Sequence, residues 1–431
     1  MKRPKKYKNL SLREDQARIL PVLLQHDFYM LLWPMRLGKS LPPLIVSDVR
    51  KSDVLVITTA KGVVGWEKCK SMCGWDINIK IISTGKIKQK SFDPDALGFY
   101  YETIILDEIQ QYRSNSNQFK AAKKLRQKAK YCYGLTGTII DKDFAEIFYP
   151  QLLLDKGELF GTSRGDFLAA FCRRVRPYSK KDFSFEIIPD YLEPVKESVF
   201  KTADRVQNRD MLAPTKHIAY YSLTKEQESF LVDLTRRKSL GLPAIDSENV
   251  LLEAAGKQNK IAQVLSGFYI REDKSIYSLK EAKRACLYAV LCELLFETEK
   301  KIVIWYRYRE EIQLITRAVQ SLSESGLDIE TELFIYSNKN MELFRQHDGS
   351  AIIVANPRSA GAGVDFSFVD LAIYYSESWS GIDSAQSEAR MGVYKGTQRK
   401  KIYYLLAKEP IAEQFHKLID KKVCNILDVL E

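Results

Sequence analysis

The sequence predicts an α/β protein of two parallel-sheet lobes with a helical insertion and linker between them. Short β-rich apolar runs alternate with longer helical patterns, this series occurs twice, and helical patterning dominates the stretch between. The first series comprises Phe28–Trp33, Val54–Thr58, Ile79–Ile82, Thr103–Leu106 and Tyr131–Leu135. The second comprises Ile302–Trp305, Leu333–Tyr336, Ala351–Ala355, Leu371–Tyr375 and Ile402–Leu406. Nearly continuous apolar runs separated by helices mark strands buried on both faces, which is the pattern of parallel sheets. Two such series imply two α/β lobes. From about Asp166 to Asp273 strands are scarce, and Thr224–Ser239 and Ser247–Leu265 read as helices. The expected layout is therefore a first lobe over 1–165, an insertion and linker over 166–273, and a second lobe over 274–431.

Length and charge narrow the function classes. A chain of 431 residues is long enough for two or three domains. Its formal charge of +11 favours an anionic partner, with nucleic acid ahead of a membrane surface. No apolar stretch approaches the roughly 20 residues needed to span a bilayer. The best candidate, Ile19–Trp33, is interrupted by Gln25, His26 and Asp27. The N-terminus MKRPKKYKNL is basic but has no apolar run of the signal-peptide kind. A cytoplasmic setting is the resulting expectation. Seven cysteines, an odd number scattered along the chain, fit free thiols in a reducing compartment. Cys69 and Cys73 are the closest pair, with no second pair nearby to complete a zinc site.

The chemistry begins at the end of the first apolar run. Leu31-Leu32-Trp33-Pro34-Met35-Arg36-Leu37-Gly38-Lys39-Ser40 finishes on Gly-Lys-Ser, the tail of a phosphate-binding loop. In such a loop backbone N–H groups cradle phosphates, the lysine reaches the β and γ phosphates, and the hydroxyl holds magnesium. Trp33 stands where the first glycine of GxxxxGK[ST] belongs, so the tail alone also reads as an ordinary strand-to-helix turn. A second element strengthens it. Thr103-Ile104-Ile105-Leu106-Asp107-Glu108 is an apolar strand that delivers two carboxylates at its carboxyl end, the edge where open α/β sheets bind ligands. Asp107 is placed to hold magnesium alongside Ser40, and Glu108 to orient and deprotonate an attacking water.

From Asp107 onward the text DEIQQYRSNSNQFKAAKKL resembles motif II of superfamily-2 helicases, in the Snf-type branch that includes chromatin remodellers and small phage and bacterial motors. LTGTII (Leu135 to Ile140) resembles motif III, and VLVITTAKGVVGWEKC resembles motif Ia, ending in Trp66. Leu12-Arg13-Glu14-Asp15-Gln16 is similar to the adenine-reading LRxYQ element, which would put Gln16 on the base beside Arg13. Downstream, KIVIWYRYREEIQLI resembles motif IV and SAIIVANPRSAGAGVDFSFVDLAIYYSESWS motif V, with QSEARMGVYKG where motif VI belongs. HIAYYSLTKEQ is similar to the family's entry into the insertion. The resemblance spans nearly the whole chain in order.

It implies two RecA-like lobes with ATP and Mg2+ in the cleft between them, closing and opening to step along DNA. The nucleotide set it implies is Arg13, Gln16, Met35, Arg36, Leu37, Gly38, Lys39 and Ser40 in the first lobe. Gly363, Asp365, Gln386 and Arg390 belong to the second. Lys39, Asp107, Glu108, Gln110 and Arg390 are the residues expected to carry hydrolysis. Nucleic acid would be met by Lys61 and Gly62 of motif Ia, Thr136 and Thr138 of motif III, Tyr306 and Arg307 past motif IV, and Ser359 and Gly361 of motif V. Gly363 joins them as a place where backbone approaches a phosphate. The basic runs Lys2–Lys8, Lys120–Lys130 and Arg173–Lys181 add electrostatic grip or are solvated faces. No base-reading module stands out, so binding is expected to ignore sequence and to weaken with salt.

Three positions depart from the family pattern. Arg36 replaces a motif I glycine, and Gln110 replaces the motif II histidine. Val393 stands where the second arginine of QxxxRxxR belongs, leaving Arg390 as the finger with Lys395 nearby. The leading expectation is a monomeric, ATP-dependent translocase on duplex or branched DNA, of the minimal kind found in phages and bacteria. Alternatives are an RNA helicase and, in a different class, a nucleotide-gated DNA clamp with weak hydrolysis, which the missing arginine motivates.

Overall fold

Ten strands stand where the ten apolar runs predict them. The computed structural model describes residues 11–34, 37–140, 143–175, 184–206, 211–236, 255–271, 273–280, 282–296, 300–324, 329–360, 364–394 and 398–428. Two compact units divide the chain: Met1–Val175 with Phe185–Arg209 and Cys424–Glu431, and Arg176–Ser184 with Asp210–Val423.

In the first unit, helix α1 (Glu14–Gln25) precedes strand β1 (Phe28–Leu32), and α2 (Leu41–Val49) leads to β2 (Val54–Thr58). Helix α3 (Gly62–Ser71), β3 (Ile79–Ser83), β4 (Thr103–Asp107), α4 (Asn117–Lys128), β5 (Tyr131–Thr136) and α5 (Phe148–Asp155) follow. A sixth strand, β6 (Ala203–Arg205), completes a parallel sheet of order β3-β2-β4-β5-β1-β6. Alternate residues feed two cores. Met30, Leu32, Leu55, Ile57, Ile104 and Leu106 pack on one face, and Tyr29, Leu31, Val54, Val56, Ile105 and Leu135 on the other. Both faces are covered, which is why the strands read as unbroken apolar runs.

Two arginines close helix ends inside this unit. Arg50 donates through Nη2 to the carbonyls of Leu23, Leu24 and His26 at 2.9, 3.0 and 3.0 Å, satisfying the last turn of α1. Arg126 is turned inward from α4 and donates to the carbonyls of Leu153, Leu154 and Ala129. One charge of the basic run Lys120–Lys130 is therefore structural, and Lys128 pairs with Asp95 at 2.5 Å.

The second unit holds β7 (Thr215–Tyr221), α6 (Ala255–Leu265), α7 (Ala282–Leu295), β8 (Lys301–Trp305), α8 (Glu310–Glu324) and β9 (Glu332–Ile335). Then come β10 (Ala351–Ala355), β11 (Leu371–Tyr374), α9 (Gly381–Ala389), β12 (Lys401–Ala407) and α10 (Pro410–Asp428), of which the part up to Val423 belongs to this unit. Its six-stranded sheet runs β7-β12-β11-β8-β10-β9, all parallel. Ile302, Ile304, Ile352 and Ile373 enter one core, and Val303, Trp305, Ile353 and Tyr374 the other.

The segment expected to be mainly helical thus adds an edge strand to each sheet, β6 and β7. An edge strand needs a partner on one side only and tolerates polar residues, so neither produces an unbroken apolar run. β7 instead alternates, leaving Ile218 and Tyr220 exposed at 41% and 45%. Among the described residues no helix is long and apolar enough to cross a membrane.

Candidate functional site

Three neighbouring strands of the first sheet end together. The loop of residues 37–40 follows β1, Thr136 ends β5, and Asp107 ends β4 with Glu108 next in the chain. The register pairs Leu32 with Thr136 and Leu135 with Asp107, so these ends lie level across the carboxyl edge. Parallel connectivity with a crossover from β1 to β2 is what gathers residues a hundred positions apart.

The loop is shaped from within the unit. Trp33 is fully buried, its indole N–H donating to Asp204 Oδ2 at 2.7 Å, while Arg18 holds both oxygens of Asp204 at 2.9 and 2.7 Å. The residue in place of the first glycine therefore anchors the loop. Gly38 adopts φ +68°, and a Cβ there would fall 2.4 Å from Gln16 Nε2. Glycine takes that left-handed turn without strain, and a side chain there would displace the Gln16 amide. Gln16 Nε2 donates to the carbonyls of Gly38 at 2.9 Å and Leu37 at 3.4 Å, and its Oε1 accepts the N–H of Arg13 at 2.9 Å. The side chain expected on the base makes these bonds to the turn. Lys39 Nζ donates to the Trp33 carbonyl at 2.8 Å.

Ser40 stands at the N-cap position of α2 without a side-chain capping bond, and the first turn carries Pro42 and Pro43. Proline suits those positions because the N–H it lacks has no helical partner there. The consequence is local: the helix start offers no amide at Pro42 or Pro43, so any phosphate must be met by amides of the preceding loop. Met35 and Arg36 lie outside the described residues.

Asp107 is held from the side. Its Oδ2 accepts from Thr58 Oγ1 at 2.7 Å and from Trp66 Nε1 at 2.8 Å. Thr58 is fully buried and Trp66 is 2% exposed, so both bonds are shielded from water. Gly62 belongs to this arrangement, since a Cβ there would lie 2.1 Å from Thr58 Oγ1. Its expected meeting with nucleic acid is thus joined by a packing reason for glycine. The roles of Thr58 and Trp66 escaped the sequence reading. The available signal was the indole N–H of Trp66, which needs a partner when buried.

Glu108 takes φ 53° and ψ 54°, left-handed for a residue with a side chain. Such backbone costs about 1–3 kcal/mol and is retained where the surroundings enforce it, often at functional sites. Gln110 Nε2 donates to Glu108 Oε2 at 2.7 Å, and Gln110 Oε1 is buried with no hydrogen-bond partner. Gln110 thus orients the Glu108 carboxylate through an amide, which does not titrate. Thr136 Oγ1 donates to the Thr138 carbonyl and accepts the Thr138 N–H, both at 2.9 Å, with both residues buried. Lys61 starts α3, and burial pushes its ammonium below the usual lysine range.

The donor set fits a magnesium-bound nucleoside triphosphate: a left-handed glycine turn at Gly38, a lysine, a helix-start hydroxyl, and a carboxylate fixed by two donors. Among the described residues no cluster of three or more His, Cys, Asp or Glu gathers to hold a metal. Magnesium bound through one or two protein ligands plus phosphates needs none.

The second unit places Gln386 and Arg390 on and just past α9, 6% and 8% exposed. Glu388 between them accepts from Tyr404 OH at 2.9 Å and pairs with Lys216 at 3.0 Å, which ties the helix to the sheet. Val393 pairs with Leu212 in a short antiparallel ladder. Asp365 accepts the Ser367 N–H at 2.9 Å and lies 3.9 Å from Arg345. Ser359 Oγ donates to the Asn356 carbonyl at 3.1 Å. The Tyr306 N–H donates to Ala355 O at 3.0 Å. Arg307 stacks on Trp379 at 4.7 Å and Tyr308 at 5.0 Å. Gly361, Gly363, Lys395, the run Lys2–Lys8 and most of Arg173–Lys181 lie outside the described residues.

No known protein family and no curated protein matches the chain. Among solved structures it is similar to the Sulfolobus solfataricus SWI2/SNF2 ATPase core in complex with dsDNA. That match has 20% identity and a TM-score of 0.42, over 97% of this chain and 92% of that one. A second similar structure is the Sulfolobus solfataricus SWI2/SNF2 ATPase core domain, with 18% identity and a TM-score of 0.41 over 98% and 90%.

Proposed function

We propose that this chain is a DNA-dependent ATPase that moves along duplex or branched DNA, as in fork or junction remodelling. One observation carries the ATPase reading: three adjacent strand ends bring together the Gly38–Lys39–Ser40 turn and the Asp107–Glu108 pair, with Asp107 held by two buried donors. When bound, magnesium-ATP supplies the phosphoanhydride and the charge that offsets its phosphates. Lys39 would leave the Trp33 carbonyl to hold the terminal phosphates, and Ser40 with Asp107 would hold the metal. Glu108, oriented by Gln110, would take the proton of the attacking water. Arg390 would supply the cationic finger. The +11 charge and the sequence motifs support DNA as the track.

The deciding measurement is hydrolysis without nucleic acid and then with single-stranded, duplex, forked and four-way DNA, and with RNA. Stimulation by DNA, greatest with one structure, supports the motor and names its substrate; stimulation by RNA alone would make it an RNA helicase. A nucleotide-gated clamp is the second reading, favoured by Val393 in its ladder. It predicts ATP-dependent DNA binding with no stimulated turnover.

Thr58→Val keeps the β-branched shape and replaces only the hydroxyl donated to Asp107 Oδ2 with a methyl. It is expected to raise the magnesium concentration for half-maximal hydrolysis about tenfold. Nucleotide binding in the absence of metal should stay unchanged. An unaltered magnesium requirement would show that Asp107 needs no such support.

A further inference from the structure

The connections of the second sheet reverse at its centre. From β8 the chain goes to β9 and β10 on one side, whereas from β11 it goes to β12 on the other. Where adjacent strands send their connections apart, a crevice opens outside their carboxyl ends. A cavity of about 60 Å3 lies there, lined by Arg307 just past β8, Glu377 just past β11, Lys283 of α7, and Trp379. It has room for several water molecules, the scale of one tetrahedral oxyanion and far below that of a nucleotide.

Lys283 is the unexplained group. It is 5% exposed, lines the cavity, and has no hydrogen bond or ion pair among the described residues. Its ammonium instead lies 5.0 Å from the Tyr375 ring and 5.9 Å from that of Tyr221. Burial pushes its pKa down, opposed by Glu311 and Glu377. Both carboxylates are already engaged. Glu377 accepts from His416 Nδ1 at 3.0 Å. Glu311 Oε2 accepts the N–H groups of Arg307 and Tyr308 and the hydroxyl of Ser376, at 2.8, 3.1 and 2.7 Å. The other Glu311 oxygen is buried with no hydrogen-bond partner, so it does not bond the lysine. Arg307, its Cζ 4.7 Å from the Trp379 ring centroid, gives Nη2 to Asn259, and its remaining guanidinium donors have no hydrogen-bond partner among the described residues. A buried ammonium whose N–H groups meet no acceptor among the described residues is costly even beside aromatic faces, and a fold retains one where a ligand completes it.

We infer that this cavity binds a small tetrahedral oxyanion of the phosphate type, held by Lys283 and Arg307. The site is independent of the phosphate loop in the first unit. Inorganic phosphate titrated into the full chain, followed by calorimetry and thermal unfolding, tests it. Binding and a rise in Tm beyond that given by chloride at equal ionic strength are expected, and both should persist in Lys39→Ala, which separates this site from the phosphate loop. Lys283→Met should weaken phosphate binding about 10- to 100-fold while leaving Tm in phosphate-free buffer equal or higher. Arg307→Gln should weaken binding in the same direction. The inference is overturned if phosphate acts no differently from chloride, or if its effect survives Lys283→Met. It also fails if Lys283→Met lowers Tm without phosphate or does not fold, because the lysine would then serve the fold through cavity water.

Discussion

Lys39→Ala is expected to lower kcat/KM for ATP hydrolysis about a thousandfold, a loss of about 4 kcal/mol of transition-state stabilisation. The ammonium sits on the Trp33 carbonyl at the mouth of a turn whose other donors are backbone amides. Prolines at 42 and 43 remove two amides from the helix start, so the lysine carries more of the phosphate charge than it would in a loop with a full set. The fold should scarcely notice, since a bond such as that to the Trp33 carbonyl is worth about 1 kcal/mol net. Hydrolysis with DNA, measured beside thermal unfolding, separates the two effects. A variant that unfolds as wild type does and still hydrolyses ATP at the wild-type rate would remove the phosphate loop from the mechanism.

Glu108→Gln should lower kcat by about two to four orders of magnitude while ATP binding changes little. The amide is nearly isosteric and can still meet Gln110, so the left-handed backbone at 108 and the neighbouring Asp107 stay in place. What is lost is the ability to accept a proton. Binding of a fluorescent nucleotide and steady-state hydrolysis on the same preparation make the comparison. If DNA binding still responds to ATP and no function depends on turnover, the clamp reading takes over, and the strand position of Val393 becomes its structural basis.

Much of this site is legible in the chain before folding. The Gly-Lys-Ser turn and the strand ending in Asp-Glu announce themselves because strand burial forces apolar runs and the chemistry sits where those runs stop. The bracing is not legible. Thr58 and Trp66 reach Asp107 from 49 and 41 residues away, and Gln16 reaches Gly38 from 22. No local pattern encodes these meetings, because parallel crossovers set which strand ends become neighbours. Gly62 shows the same limit. Sequence marks it as a place for close approach, and only packing identifies Thr58 as one group that approaches.

By itself the sequence determined the α/β class, the two series of strands, and the residues able to do phosphate chemistry. Each of these follows from local periodicity or from residue type. Tertiary structure alone decided that the segment between the series supplies an edge strand to each sheet. It turned Arg50 and Arg126 from surface charges into helix caps, and left Lys283 facing a cavity with no hydrogen-bond partner among the described residues. Edge pairing, inward-turned charge and unmet donors depend on which distant surfaces come together, and that is settled only when the sheets close over their cores.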